Sequence, residues 1–268
     1  MDEDRAGRGR VVAAFRGGKN VLERAYAESP LRLLLPKTPY ASNAKGPTAA
    51  WVCVTSLGGG LVRGDALRLA IDVEEGSTLL LTTQASTKAY RGSTRQVLHA
   101  RVEGTLVALP DPVACFAGST YESEVVVTLG AAGTLVLVDA FTSGRAAYGE
   151  RWAFERLASR IHVDRGEPLL RDATVLDARH GPIAARFGRV DAYATVVAIG
   201  ARAADVMAAM LAPRERTNVL YAPSKLARGD GVVARVAAER TEDVLREIRV
   251  RLGNIAEMCG VDPYASRH

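Results

Sequence analysis

The feature that most constrains this fold is a period-two alternation of apolar and polar residues through the first two thirds of the chain. Leu67, Leu69, Ile71 and Val73 alternate with Ala66, Arg68, Ala70 and Asp72. Successive side chains of a strand point to opposite faces, so this segment has one apolar side. Comparable stretches cover Ser77 to Thr83, Gln96 to Glu103, Glu124 to Leu129, Gly133 to Phe141 and Arg151 to Val163, punctuated by Gly, Pro, Asp or Ser. Many short strands without intervening helices predict a mainly β chain built as a large sandwich, barrel or coiled β-solenoid.

Helical spacing enters only in the C-terminal third, where about two helices are expected. Ala203 to Leu211 follows the apolar strand Tyr193 to Ile199 and stops before Pro213. Val244, Leu245, Ile248, Leu252, Ile255, Ala256 and Cys259 recur at helical intervals, with Thr241 as N-cap and Glu242 and Asp243 in the first turn. No low-complexity linker divides the chain, so residues 1–268 are read as one domain.

Composition narrows the function classes. Cys53, Cys115 and Cys259 form no CxxC pair, which argues against a disulfide framework or a thiolate zinc site and for a reducing, cytoplasmic setting. Met1 to Arg10 is charged and no apolar run reaches the ~20 residues of a membrane span, so neither export nor anchoring is expected. The net charge is +5, but its Lys and Arg are interleaved with acids and aromatics are only 6%. That pattern disfavours nucleic acid and suits an acidic protein partner.

Three segments carry concentrated chemistry. In Ser56 to Asp65, Gly59 to Gly64 has the glycine spacing of a phosphate-binding loop. Asp65 and Ala66 stand where Lys and Ser or Thr would be needed, so a tight turn is the simpler reading, with Asp65 as a candidate transient ligand for a divalent cation. Asp139 to Glu150 is a polar island beside glycines, which an Arg145 to Glu150 pair could close as a loop. Leu79 to Arg91 turns abruptly from an apolar strand into Thr83, Gln84, Lys88 and Tyr90, a set able to form a hydrogen-bonding wall in a wet channel or interface. No G-x-S-x-G elbow or H-E-x-x-H helix occurs, and His99, His162, His180 and His268 lack diagnostic neighbours. The residues alone therefore favour a non-enzyme. The rival is a β-scaffold hydrolase or isomerase drawing Asp65, Lys88, Tyr90 and Glu150 together.

Taken in order, Ser29-Pro30-Leu31-Arg32-Leu33-Leu34, the Gly58 to Asp65 loop, Thr82-Thr83-Gln84-Ala85 with Lys88-Ala89-Tyr90, Leu109-Pro110-Asp111-Pro112-Val113 with Phe116, and Gly144-Arg145 with Gly149-Glu150 resemble the UreD (UreH) family of urease accessory proteins. The resemblance covers about residues 29 to 160. It implies a helically coiled β-body that binds no permanent cofactor and catalyses nothing. Such a protein joins UreF- and UreG-type proteins on apo-urease and conducts Ni²⁺ through an internal passage to the nascent active site. On this reading Asp65 and Glu150 are transient nickel contacts, and Thr83, Gln84, Lys88, Tyr90 and Arg145 belong to the channel or to a partner surface. Two positions depart from the family pattern: Arg63 replaces a common glycine and could offset the charge of Asp65. Cys115 stands where a proline usually precedes the phenylalanine, and is read as a buried thiol or, if deprotonated, an added ligand.

Overall fold

The computed structural model describes residues 5–36, 46–214 and 218–264. In chain order the strands are β1 (Arg5–Arg16), β2 (Lys19–Ala27), β3 (Leu31–Leu34), β4 (Ala50–Ser56), β5 (Asp65–Val73), β6 (Thr78–Thr83), β7 (Lys88–Ala89), β8 (Gly92–Val102), β9 (Thr105–Leu109) and β10 (Val113–Cys115). They continue as β11 (Ser119–Leu129), β12 (Thr134–Thr142), β13 (Gly144–Arg145), β14 (Glu150–Arg151), β15 (Arg156–Arg165), β16 (Glu167–Asp177), β17 (Ala192–Ile199), β18 (Val219–Lys225) and β19 (Gly231–Ala238). The helices are α1 (Ile183–Phe187), α2 (Ala204–Leu211), α3 (Thr241–Arg251) and α4 (Ile255–Cys259).

The long strands form two sheets. Sheet A runs β16-β15-β11-β8-β5-β1-β2, and the spine of sheet B runs β18-β19-β17-β12-β9-β6-β4-β3. From β4 to β15 the chain alternates between the sheets, each return laying a strand parallel to its predecessor: β5, β8, β11 and β15 in sheet A, β4, β6, β9 and β12 in sheet B. This is a helically coiled β-body, and it resolves the choice the alternation left open. Parallel pairing needs a crossover, and here the crossover is a strand of the opposite sheet.

The strand faces turned toward each other make the main core, in which Leu67, Leu79, Leu106, Leu135, Leu157 and Ile161 are almost fully enclosed. Each such side chain contributes roughly 1.5–3 kcal/mol on burial. The other face of sheet B, with Val136, Val138, Val196 and Val236, packs against Val206 and Met210 of α2, Val244 and Ile248 of α3, and Ile255 of α4. These strands are therefore apolar on both faces, a pattern that period-two reading under-detects.

Local differences from the sequence reading have identifiable causes. The expected strand Arg151 to Val163 is interrupted between β14 and β15, where Trp152 adopts φ +54. Its indole is buried, donates to the Val190 carbonyl at 2.9 Å and lies 4.3 Å from the Phe187 ring, centroid to centroid. That packing offsets a left-handed conformation costing about 1–2 kcal/mol. The single helix expected through Cys259 is two, because the chain turns at residues 252–254 and α4 folds back on β6, with the Cys259 carbonyl accepting from the Ala49 N–H at 2.7 Å. Arg240 occupies the cap position and Thr241 is the first helical residue.

Candidate functional site

Turns at the two ends of the coil differ in length. At one end the sheets are joined by tight connections around Gly76, Gly104 and Gly130 to Gly133, while residues 57–64, 84–91, 110–118 and 143–155 make long connections at the other. Those four connections hold the sequence segments singled out above, and they stack. β7 pairs with β10, β10 pairs with β12, and Leu61 bridges to Ala89. The glycine loop docks because Leu61 N–H donates to the Lys88 carbonyl at 2.7 Å and Tyr90 N–H to the Leu61 carbonyl at 2.9 Å. A Cβ on Gly60 would stand 2.6 Å from that same Lys88 oxygen, so the close approach requires glycine. Farther along, Tyr90 meets Phe116 edge-on at 5.2 Å, and the Arg145 guanidinium lies 4.5 Å from the Phe116 ring.

Beneath these loops the sheets enclose a cavity of about 290 Å³. Gly59, Gly60, Thr83, Gln84, Lys88 and Asp111 line its loop end, and Gln96, Tyr121, Ser123 and Asp139 line its interior. The Thr83 hydroxyl donates to the Asp111 carboxylate at 3.0 Å and accepts the Asp111 N–H at 2.7 Å. Deeper, Tyr121 donates to the Gln96 amide oxygen at 2.7 Å, and Ser159 donates to Asp139 at 2.5 Å.

These interior groups begin a polar belt. Strand register places Gln96, Ser123, Ser159 and Thr174 side by side across the inner face of sheet A. Across sheet B, Asp139, Thr195 and Arg235 form the facing row. Arg235 donates to Thr195 at 2.8 Å and ion-pairs with Asp172, its side chain retaining 36% exposure. The belt thus runs from the cavity under the loops, through an apolar core, to a solvent-facing ion pair. Burial raises the pKa of Asp139 above the ordinary carboxylate value, and the Asp172 charge adds to the rise; Ser159 and Arg235 oppose it. Burial, with the Asp139 charge behind it, likewise raises the Tyr121 hydroxyl.

Of the residues predicted from sequence, Thr83, Gln84 and Lys88 line the cavity, whereas Asp65 and Glu150 are held outside its lining. Asp65 is buried and accepts the Val62 N–H at 2.8 Å, fastening the turn of its own loop. Glu150 closes its loop by the expected ion pair with Arg145, which lowers its pKa, and accepts the Ala117 N–H at 3.3 Å. Arg63 forms no ion pair with Asp65; it packs beside Gly92. No hydrogen bond or ion pair joins any two of Asp65, Lys88, Tyr90 and Glu150, the quartet of the hydrolase or isomerase alternative. Burial pushes the Cys115 thiol up to about 12, so it is a protonated core group at neutral pH.

The belt itself escaped the sequence reading, although a signal for it exists. In the apolar phase of β8, β11 and β15, Gln96, Ser123 and Ser159 replace the expected aliphatics. Asp139 was legible only as the start of a polar island. Among the described residues no group of three or more His, Cys, Asp or Glu is gathered to hold a metal ion, and no helix is long and apolar enough to cross a membrane.

A model of the family described as UreD urease accessory protein matches residues 5–266. The chain is 50% identical to the urease accessory protein UreD of Sorangium cellulosum, over 98% of this chain and 85% of that protein. It is 40% identical to the UreD of an Anaeromyxobacter strain, over 97% and 89% of the two chains. Urease accessory protein D of Arabidopsis thaliana is 31% identical over 96% of this chain and 99% of its own length. Matched almost from end to end, the chain belongs to the UreD family of urease accessory proteins.

Proposed function

We propose that this chain serves urease maturation as a non-catalytic scaffold that conducts Ni²⁺ through its interior while joined to UreF- and UreG-type proteins on apo-urease. Family membership supports the accessory role. The polar belt through the inter-sheet core is the observation that carries the passage. A row of buried and half-buried hydroxyls, an amide and a carboxylate inside an apolar sandwich is costly to build unless the groups are used, and each can exchange its hydrogen bonds for contact with a hydrated ion.

Nickel accepts oxygen and nitrogen ligands, and an ion that must be handed on is served by few, incomplete contacts at successive positions. Asp111 at the loop end and Asp139 midway supply negative charge, Thr83, Gln84, Gln96, Ser123 and Ser159 supply neutral oxygens, and Lys88 stands at the entrance as a cation. Tyr90, Arg145, Asp65 and Glu150 act on this reading by fixing the loop stack over the mouth.

Co-expression of urease subunits and the other accessory proteins, with and without this chain, tests the proposal. Urease made with the chain should contain nickel and be active. Equal nickel content and activity without it would refute the accessory role, whereas normal loading by a chain whose passage is blocked by bulky substitutions at Ser123 of the cavity and Ser159 of the belt would refute the passage alone.

A further inference from the structure

Among the described residues the inner layers of the molecule are covered and the outer face of sheet A is not. Helices α2, α3 and α4 pack on sheet B, and α1 inserts Ile183 and Phe187 at the inter-sheet core. Since Leu67, Leu69 and Ile71 point inward, Arg68 and Asp72 point outward, and the same phase puts Arg8 and Arg10 of β1 and Arg95 and Arg101 of β8 on this outer face. No described helix lies over it. Seven strands at ~4.8 Å spacing and about 20 Å of strand length give a continuous face on the order of 600 Å², approaching the ~800 Å² per partner of a standard protein interface.

The charge on this face is one-sided. Its carboxylates Asp72, Glu124, Glu122 and Asp164 are each taken by an arginine, Arg10, Arg95, Arg156 and Arg171 respectively, and Asp177 at the edge strand is held by Arg179 and Arg156. Arg8, Arg24, Arg68, Arg101 and Arg160 remain, with no ion-pair partner among the described residues. Arg8 and Arg68 are direct cross-strand neighbours, an arrangement that is unfavourable without a counter-charge. The Arg68 row continues through Val97 and Glu124 to Arg160, so the free cations are spaced across the face rather than clustered.

We propose that the outer face of sheet A is a docking surface for a protein partner presenting a carboxylate-rich surface, engaged through Arg8, Arg68, Arg101 and Arg160. This assignment names the face used for assembly and rests on the proposed accessory function. Protein is favoured over nucleic acid because acids are interspersed on the same face, where they would repel a phosphate backbone, and because among the described residues its rings are one phenol, Tyr26 at the edge strand, and the imidazoles of His99 and His162, not a row of stacking Phe, Tyr or Trp. Arginine forks match carboxylates two at a time, so fixed spacing on a rigid sheet also gives orientation.

The test is the triple variant Arg8→Glu/Arg68→Glu/Arg160→Glu, beside Arg189→Glu/Arg214→Glu/Lys225→Glu as an equal charge change elsewhere, each shown folded by circular dichroism. Affinity for apo-urease and the accessory proteins is measured singly and in combination at two salt concentrations. The expected result is loss of at least about tenfold in affinity for one partner in the sheet-face variant only, with the salt dependence of that association reduced. Binding by the sheet-face variant within twofold of the unsubstituted chain overturns the proposal while leaving the accessory function intact. Failure of the unsubstituted chain to load urease with nickel removes the accessory function separately. Should the unsubstituted chain bind no partner, immobilised poly-L-glutamate and duplex DNA decide: retention on polyglutamate that the sheet-face variant loses supports an acidic protein, and no retention, or a preference for DNA, overturns it.

Discussion

Ser159 of sheet A donates a hydrogen bond to Asp139 of sheet B across the inter-sheet core, joining the two rows of the polar belt at its middle. Burial raises the folded-state pKa of Asp139 above its unfolded value. The folded chain therefore binds more protons in the window above the ordinary value near ~4, and the stability this proton confers, fully present below that value, is lost as pH rises through the folded pKa. Asp139→Asn keeps the Ser159 contact and removes the titration. Urea denaturation at about pH 5 and about pH 7.5 should show the native chain losing more stability between the two than the variant. Urease matured with the variant should carry less nickel; parallel pH dependences together with full nickel loading would dismiss Asp139 as a belt carboxylate.

Asp65 separates a turn-fixing role from a charge role. Its carboxylate, itself buried, accepts the Val62 N–H, so Asp65→Ala removes this part-buried hydrogen bond at a cost of about 0.5–1.5 kcal/mol, while Asp65→Asn retains an acceptor. Thermal unfolding should place the Asn variant near the native chain and the Ala variant several degrees lower. Nickel delivery should follow the same order. Loss of delivery in a fully stable Asn variant would mean that the charge itself contacts the ion.

Gly60→Ala should undock the glycine loop without unfolding the coil, because the added methyl meets the Lys88 carbonyl and the Tyr90 ring. Hydrogen exchange should accelerate at Leu61 and Tyr90, whose N–H groups hold the stack, and stay unchanged in β11 and β12. Acceleration throughout both sheets would show that the loop supports the whole fold rather than the mouth of the cavity.

Arg251 ties the helical layer together. It pairs with Glu247 at 2.8 Å, both side chains almost fully buried, donates to the Ala209 carbonyl at 2.9 Å and to that of Ala212, and lies 4.2 Å from the centre of the Tyr221 ring. Removing one member of such a pair leaves a buried charge, so Arg251→Leu should cost about 3–5 kcal/mol in chemical denaturation. A change under about 1 kcal/mol would mean that the helical layer tolerates the loss of this pair.

Strands whose one apolar face packs inward were legible from local sequence. Leu67, Leu69, Ile71 and Val73 specify β5 because period two is a property of neighbours, and Ala203 to Leu211 specifies a helix for the same reason. Less was legible where a strand is buried on one face and half-buried on the other, as in β19, or where an apolar stripe continues across a turn, as between Leu252 and Ile255.

By itself the sequence determined the β class, the late helices, the family resemblance and the segments that carry the chemistry, since each is encoded within a few residues or in a fixed order of motifs. Only the tertiary structure decided which sheet each strand joins and that Gly60, Tyr90, Phe116 and Arg145 meet in one stack. It also decided that Asp139 faces Ser159 instead of belonging to a solvated loop, and that Asp65 spends its carboxylate on its own turn. Those relations depend on parallel register between strands about 20 to 40 residues apart, which is set by mutual packing of the sheets rather than by any local pattern.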